Sequence, residues 1–281
     1  MTTAVDAGIN PDAANQMIAG ALAETSAPAV AAIPAPKILP PPEKSVELIG
    51  GVVNQLEGTS ETLAVVRELT GSDEEALTSP SLARSVPKYL GALVARGTET
   101  IGGKKPTQDQ LDSLLIGDRE LLLLAIRKAT YGIELELITQ CGHCDAKDED
   151  FVFDLDDIVV KPAGSLDEVM YGFEVNLPSG ITARVSLPTA ADQDAIMSAG
   201  NDKSEGELNT LMLSRVIRQL DGQPLYSPGQ VKAMTIRDRR TILLEINKRT
   251  PGPQIGEVKR TCGACEKEFD LNLGLLDLFR A

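Results

Sequence analysis

Apolar and polar residues alternate in two well-separated stretches of the chain. Leu63-Ala-Val-Val-Arg-Glu-Leu69 and Ile181-Thr-Ala-Arg-Val-Ser-Leu187 both read as strands. A short apolar segment precedes each, at 45–49 and at 173–177, and supplies a strand to pair with it. The same helix start follows each: Thr70 with Asp73, then Thr189 with Asp192. A Thr with an acid three residues on satisfies the free N–H groups of a first helical turn. Farther along, Leu208, Leu211, Met212, Val216, Ile217 and Leu220 recur at helical spacing and predict one amphipathic helix. Polar turns are expected at 102–107 and 221–227. Helices then open at Asp118 and Asp238. The run from Leu121 to Ile126 is apolar on every side, which places that helix at the centre of a core. Gly132 and Gly252 are set to end these helices.

The two readings are in register. Asp118, Arg119, Leu123, Leu124, Ile126, Lys128, Thr130 and Gly132 match Asp238, Arg239, Leu243, Leu244, Ile246, Lys248, Thr250 and Gly252 at a spacing of 120 residues. Thr70 and Asp73 match Thr189 and Asp192 at 119; Cys141 and Cys144 match Cys262 and Cys265 at 121. The expected fold is therefore α+β, a tandem pseudo-two-fold duplication with units at 46–160 and 170–281. Each unit ends in a Cys-x-x-Cys knuckle on a β-hairpin. Residues 1–45 stand apart as an Ala/Pro-rich flexible arm with one short helix expected at 10–24.

Composition narrows the function. The chain has 281 residues, 42% of them apolar, enough for a packed core of Leu, Ile, Val and Ala with almost no aromatics. Its formal net charge of −14 repels phosphate backbones and argues against nucleic acid as a ligand. No apolar run is long enough for a membrane span, and the N-terminus has no signal-peptide pattern. There is no phosphate-binding Gly loop, no dinucleotide fingerprint and no nucleophile elbow. With one histidine in the chain, no Cys-His or Ser-His-Asp system with a second base is available. The expectation is a protein that is not an enzyme.

The four cysteines, Cys141, Cys144, Cys262 and Cys265, are the candidate chemistry. Zinc favours a closed tetrahedral set of thiolates, and each Cys-x-x-Cys turn offers two. Gly142 and Gly263 are expected to relieve the backbone at the turns. Two knuckles at equivalent positions then share one structural Zn2+ and join the halves. Other readings stand beside this one: structural disulfides, thiols without metal, or a redox site, since Cys-Gly-His-Cys is also a disulfide-isomerase tetrapeptide. The acids at 145–150 and the missing preceding Trp speak against redox chemistry. His143 is expected to face solvent. Asp118-Arg119 and Asp238-Arg239 are expected to be helix N-caps with an Arg ion pair, and Asp154, Asp156 and Asp157 a solvated face.

The succession of strand, Thr-x-x-Asp helix start, Asp-Arg, Leu/Ile-rich helix, Gly, Cys-x-x-Cys and a strand carrying Phe-Asp-Leu (153–155 and 269–271) resembles a known group. It is similar to the T-even-type phage baseplate hub proteins of contractile tails, which bear zinc knuckles. Residues 117–132 and 139–144 carry the resemblance best. In the second unit Pro251 stands where Tyr131 precedes the glycine, and the N-terminal arm lies outside the pattern. The resemblance implies a structural or assembly protein of a baseplate hub. It would act through contacts with other tail or hub proteins in the cytoplasm of the producing cell, its presence in the finished virion and its oligomeric state left open. The competing reading is a cytoplasmic zinc-ribbon protein of transcription or other nucleic-acid machinery.

Overall fold

Strand β1 (Glu43–Asn54) runs antiparallel to β2 (Thr59–Arg67), and β3 (Thr98–Ile101) adds to the far side of β2, giving the order β1-β2-β3. The computed structural model describes residues 43–279 except 201 and 272, so the arm expected at 1–45 and its helix at 10–24 lie outside it but for 43–45, which open β1. Between β2 and β3 come α1 (Gly71–Leu77), α2 (Pro80–Ala83) and α3 (Val86–Gly97). After β3 follow α4 (Gln108–Ser113), α5 (Ile116–Tyr131) and the hairpin β4 (Glu134–Gln140) with β5 (Lys147–Asp154). Then β6 (Val160–Lys161) and α6 (Leu166–Tyr171) lead onward.

The later part of the chain runs through β7 (Phe173–Asn176), β8 (Thr182–Val185), α7 (Ala190–Ala199), α8 (Glu205–Val216), β9 (Ile217–Leu220) and β10 (Gln223–Pro224). Its sheet has the order β10-β9-β8-β7. Next come α9 (Pro228–Ala233), α10 (Ile236–Arg249), β11 (Gly252–Pro253) and a small hairpin of β12 (Lys259–Thr261) with β13 (Glu268–Asp270). Helix and strand are mixed throughout, as an α+β protein requires. No helix among the described residues is long and apolar enough to cross a membrane.

Local chemistry sets the helix starts. Thr70 with Asp73, and Thr189 with Asp192, form capping boxes at α1 and α7. Both acids are buried and carry guanidinium partners: Arg67 at 2.7 Å and Arg96 at 3.1 Å on Asp73, Arg215 at 2.6 Å on Asp192. Each box thus ties a helix start to neighbouring elements. Arg67 holds the Asp73 carboxyl well below the usual carboxylate range.

The helix predicted over 208–220 is split. It ends at Val216, and Ile217 continues without a loop as β9. Helix α3 passes into β3 in the same way at Gly97–Thr98. The β-branched Thr98 and Ile217 suit the extended backbone, and both are buried there. Gly97 is required by packing: a Cβ would stand 2.6 Å from the Ile126 side chain.

Helix α5 is central, as its all-round apolar run predicts. Leu122, Leu123 and Ile126 are fully buried and pack in one core with Leu48, Ala64, Val66, Leu90 and Leu93. A second core joins Phe173, Val185, Leu213, Val216, Ile242 and Ile246, and Leu115 reaches it from the start of α5. Asp118 and Asp238 are not the N-caps that the sequence predicts. Helix α5 starts at Ile116, two residues before Asp118, and Thr235 rather than Asp238 caps α10. The Asp118 carboxylate instead accepts backbone N–H groups of Ile49, Gly50 and Gly51 at 2.5, 3.0 and 2.8 Å. These lie where the β1–β2 register shifts, so the acid replaces the lost ladder partners of a bulge. Asp238 accepts Ser179 N–H at 3.1 Å. Arg119 does form an ion pair, with Asp194 at 2.5 Å, while Arg239 donates to Gly206 O and Thr210 Oγ1.

Gly132 ends α5 at φ +86, as expected. Gly252 does not end α10, which stops at Arg249; it lies in β11 and pairs with Lys161 of β6. Thr250 N–H closes α10 on Ile246 O, and Pro251, lacking an N–H, cannot extend the helix. The two-residue strands β6 and β11 therefore stitch the segment after the first hairpin to the segment before the second.

Candidate metal centre

Both Cys-x-x-Cys segments are the turns of antiparallel hairpins. Cys141–Cys144 joins β4 to β5, and Cys262–Cys265 joins β12 to β13. The two turns use the same hydrogen bonds. Cys141 N–H donates to Ala146 O at 2.9 Å, and Asp145 N–H to Cys141 O at 3.0 Å. Cys262 N–H donates to Lys267 O, and Glu266 N–H to Cys262 O, both at 2.9 Å. His143 N–H points at Cys141 Sγ and Ala264 N–H at Cys262 Sγ, each at 3.4 Å. An N–H aimed at sulfur favours the thiolate form.

The left-handed residue of each turn is not the expected glycine. Asp145 at φ +57 and Glu266 at φ +58, directly after the second cysteine, reverse the chain. Gly142 and Gly263 are not at positive φ, and a Cβ on either would meet open space. Nothing in the residue types gave this position away, because Asp and Glu are ordinary in loops.

The four sulfurs converge. Cys141 Sγ lies 3.7 Å from Cys265 Sγ, and Cys144 Sγ lies 3.7 Å from Cys262 Sγ. All four lie within 4.8 Å of one another, and no disulfide joins any of them. A tetrahedral zinc with bonds of about 2.3 Å has sulfur–sulfur edges of about 3.8 Å, so the donor set fits that ion in type and spacing. Cys141 and Cys262 are buried while Cys144 is exposed.

The charges point the same way. Backbone N–H groups of Cys265 and Ala264 bring the Cys262 thiol down to about 6. Cys144 also receives an N–H, from Ala146, yet its sulfur neighbours, Cys265 first among them, push it up to about 12. Four thiolates this close repel, and a dication offsets that repulsion. Neither turn opens a helix, so the helix-terminus activation of thioredoxin-like cysteines has no counterpart here.

Further contacts hold the hairpins together. Rather than facing solvent alone, His143 reaches across: its Nε2 lies 3.0 Å from Glu268 O on β13. Arg260 of β12 stacks over the Phe151 ring at 3.8 Å and donates to Thr139 Oγ1 at 2.5 Å. Sequence reasoning missed Arg260, since a lone Arg two residues before a cysteine carries no signal. Beneath the sulfurs lies a third core of Leu124, Leu135, Phe153, Leu155, Ile158, Ile255, Leu273 and Leu278. Leu124 belongs to α5; no residue of α10 takes part. Asp156, read as part of a solvated face, is exposed and pairs with Lys128 at 2.6 Å.

A family model described as T4 bacteriophage base plate protein matches residues 98–220, from the start of β3 to the end of β9. The match includes Cys141 and Cys144 and supports a structural role in a phage tail. No curated protein and no solved structure matches the chain.

Proposed function

We propose that this chain is a structural or assembly protein of the baseplate hub of a contractile phage tail. It works by protein–protein contacts in the cytoplasm of the producing cell or in the tail itself. A single Zn2+ held by Cys141, Cys144, Cys262 and Cys265 fastens its two halves. The observation that carries the reading is the convergence of both cysteine pairs within a chain whose middle matches a baseplate family.

The halves descend from one duplicated module. In support, each has a hairpin, a Thr/Asp-capped helix, a helix that passes directly into a third strand, and a tight turn with successive positive φ values. Those turns are Gly102-Gly103 and Asp221-Gly222. The Zn2+, when bound, supplies folding free energy rather than reaction chemistry. The chain's own part is to present four sulfurs from two pre-shaped turns and to lock the hairpins with Arg260 and His143.

The test is metal content with a functional readout. Purified protein should carry one zinc per chain, and a phage lacking the gene should fail to complete its tail. Two zincs per chain, or none, would overturn the shared site; normal tails without the gene would overturn the hub role.

A further inference from the structure

Helices α5 and α10, equivalent in the duplicated module, differ in what covers them. On α5, Gly117, Glu120, Leu124 and Lys128 mark one face, which the rest of the chain covers. A Cβ on Gly117 would stand 2.7 Å from Gly252 Cα, Glu120 Oε2 lies beside Gly252, and Leu124 is buried in the core under the sulfurs. The cover is segment 251–255: Pro251 and Gly252 lie against Gly117, and Ile255 shares the core of Leu124.

At the matching positions α10 carries Arg237, Arg240, Leu244 and Lys248, and all four are exposed. Ile236 is 84% exposed and Leu244 58%. Among the described residues, Arg237, Arg240 and Lys248 have no ion-pair partner. The inner face of α10, with Ile242 and Ile246, is buried in the ordinary way.

We infer that the outer face of α10 docks an acidic segment of another tail protein, one whose carboxylates flank an apolar side chain. Three cations around Leu244, on a chain of net charge −14, form a local field of opposite sign. Arg is favoured at interface centres, and complementary charge selects the partner. The occupant is not a copy of segment 251–255. That segment already lies on α5, where it needs Gly117, and Arg237 at the equivalent place forbids so close a backbone approach. A second copy docking head to tail through the same segment is excluded on that ground.

The inference rests on the duplication and on the tail role, so the test separates them. In the producing cell, the full-length protein carries a photo-crosslinking amino acid in place of Leu244. The expected product joins it to a different tail protein, within a stretch where Asp or Glu flanks an apolar residue. The double substitution Arg237→Glu/Arg240→Glu should cut the crosslink about tenfold, a loss that matches removal of one good charge-paired contact. Zinc content and melting temperature should stay at the parent's values. A crosslink to nucleic acid, to a second copy or to the chain's own first 42 residues overturns the surface, as does a yield unchanged by charge reversal. If deleting the gene stops tail assembly while the double variant assembles as the parent does, the α10 surface falls and the tail role stands. If deletion leaves tails intact, the tail role falls.

Discussion

Gly117 and Gly252 touch backbone to backbone: a Cβ on Gly252 would lie 2.5 Å from the Gly117 Cα. One opens the central helix, the other lies in β11 just beyond the last long helix, and any side chain at either place would part them. Gly252 also sits at φ +134, where L side chains are strained.

Gly117→Ala should therefore destabilise the protein by roughly 1–3 kcal/mol through overpacking, although alanine is the better helix former. Gly263→Ala is the control, since nothing lies within 4 Å of its Cβ position. It should change stability by no more than about 0.5 kcal/mol. Urea denaturation of the two variants checks this; equal midpoints would show that α5 and β11 do not pack this closely in solution.

Cys262→Ala removes one of two buried sulfurs and should release the zinc. The loss should reach ~3 kcal/mol or more, because a structural metal contributes folding free energy directly. Hydrogen exchange should rise in both hairpins, 134–154 and 259–270, since Arg260, His143 and the core beneath depend on their alignment. Exchange confined to 259–270 would mean the first turn holds metal without the second.

Glu120 predicts an unusual pH dependence. Burial raises its carboxyl to about 7, against the opposing pull of Arg119 and Gln193. Between the ordinary carboxylate value and about 7 the folded chain holds a proton that the unfolded chain has released. Stability therefore falls as pH rises from about 5 to about 8. The side chain keeps some exposure, which limits the effect to on the order of 1–2 kcal/mol. Asp118, raised by burial despite its three N–H donors, acts in the same direction. Asp73, lowered chiefly by Arg67, acts in the opposite sense and only in strong acid. Thermal melts of Glu120→Gln across this pH range should be flatter than the parent's, and equal slopes would rule Glu120 out.

Thr98 has a buried hydroxyl with no hydrogen-bond partner among the described residues. At the matching place in the second sheet stands Ile217, also buried. Thr98→Val keeps the shape and removes the unmet polar group, so stability should rise by up to about 1 kcal/mol. A loss of stability in denaturant titrations would mean that the hydroxyl is satisfied by water.

What the sequence made legible was local. The Thr/Asp capping pairs, the apolar run at 121–126 and the two hairpin turns all follow from residue types within a few positions. The four cysteines were legible because their residue type and spacing carry chemistry. What escaped was set at a distance. Asp118 looks like a helix cap by position, yet its partners are 67 to 69 residues earlier. The asymmetry between α5 and α10 depends on where segment 251–255 packs, which no periodicity encodes. The break at Val216–Ile217 was hidden because a buried strand and a buried helix face are both apolar.

The stitching of β6 to β11 has a consequence for synthesis. Helix α5 leaves the ribosome long before the residues that cover it. At about 5–20 residues per second, the outer face of α5 waits roughly ten seconds for Gly252 to arrive. Until then Leu124 and its neighbours are an uncovered apolar surface on a half-made protein. The strand that carries Gly252 closes it, so a chain terminated before Gly252 should be a nascent product that chaperones hold and proteases find.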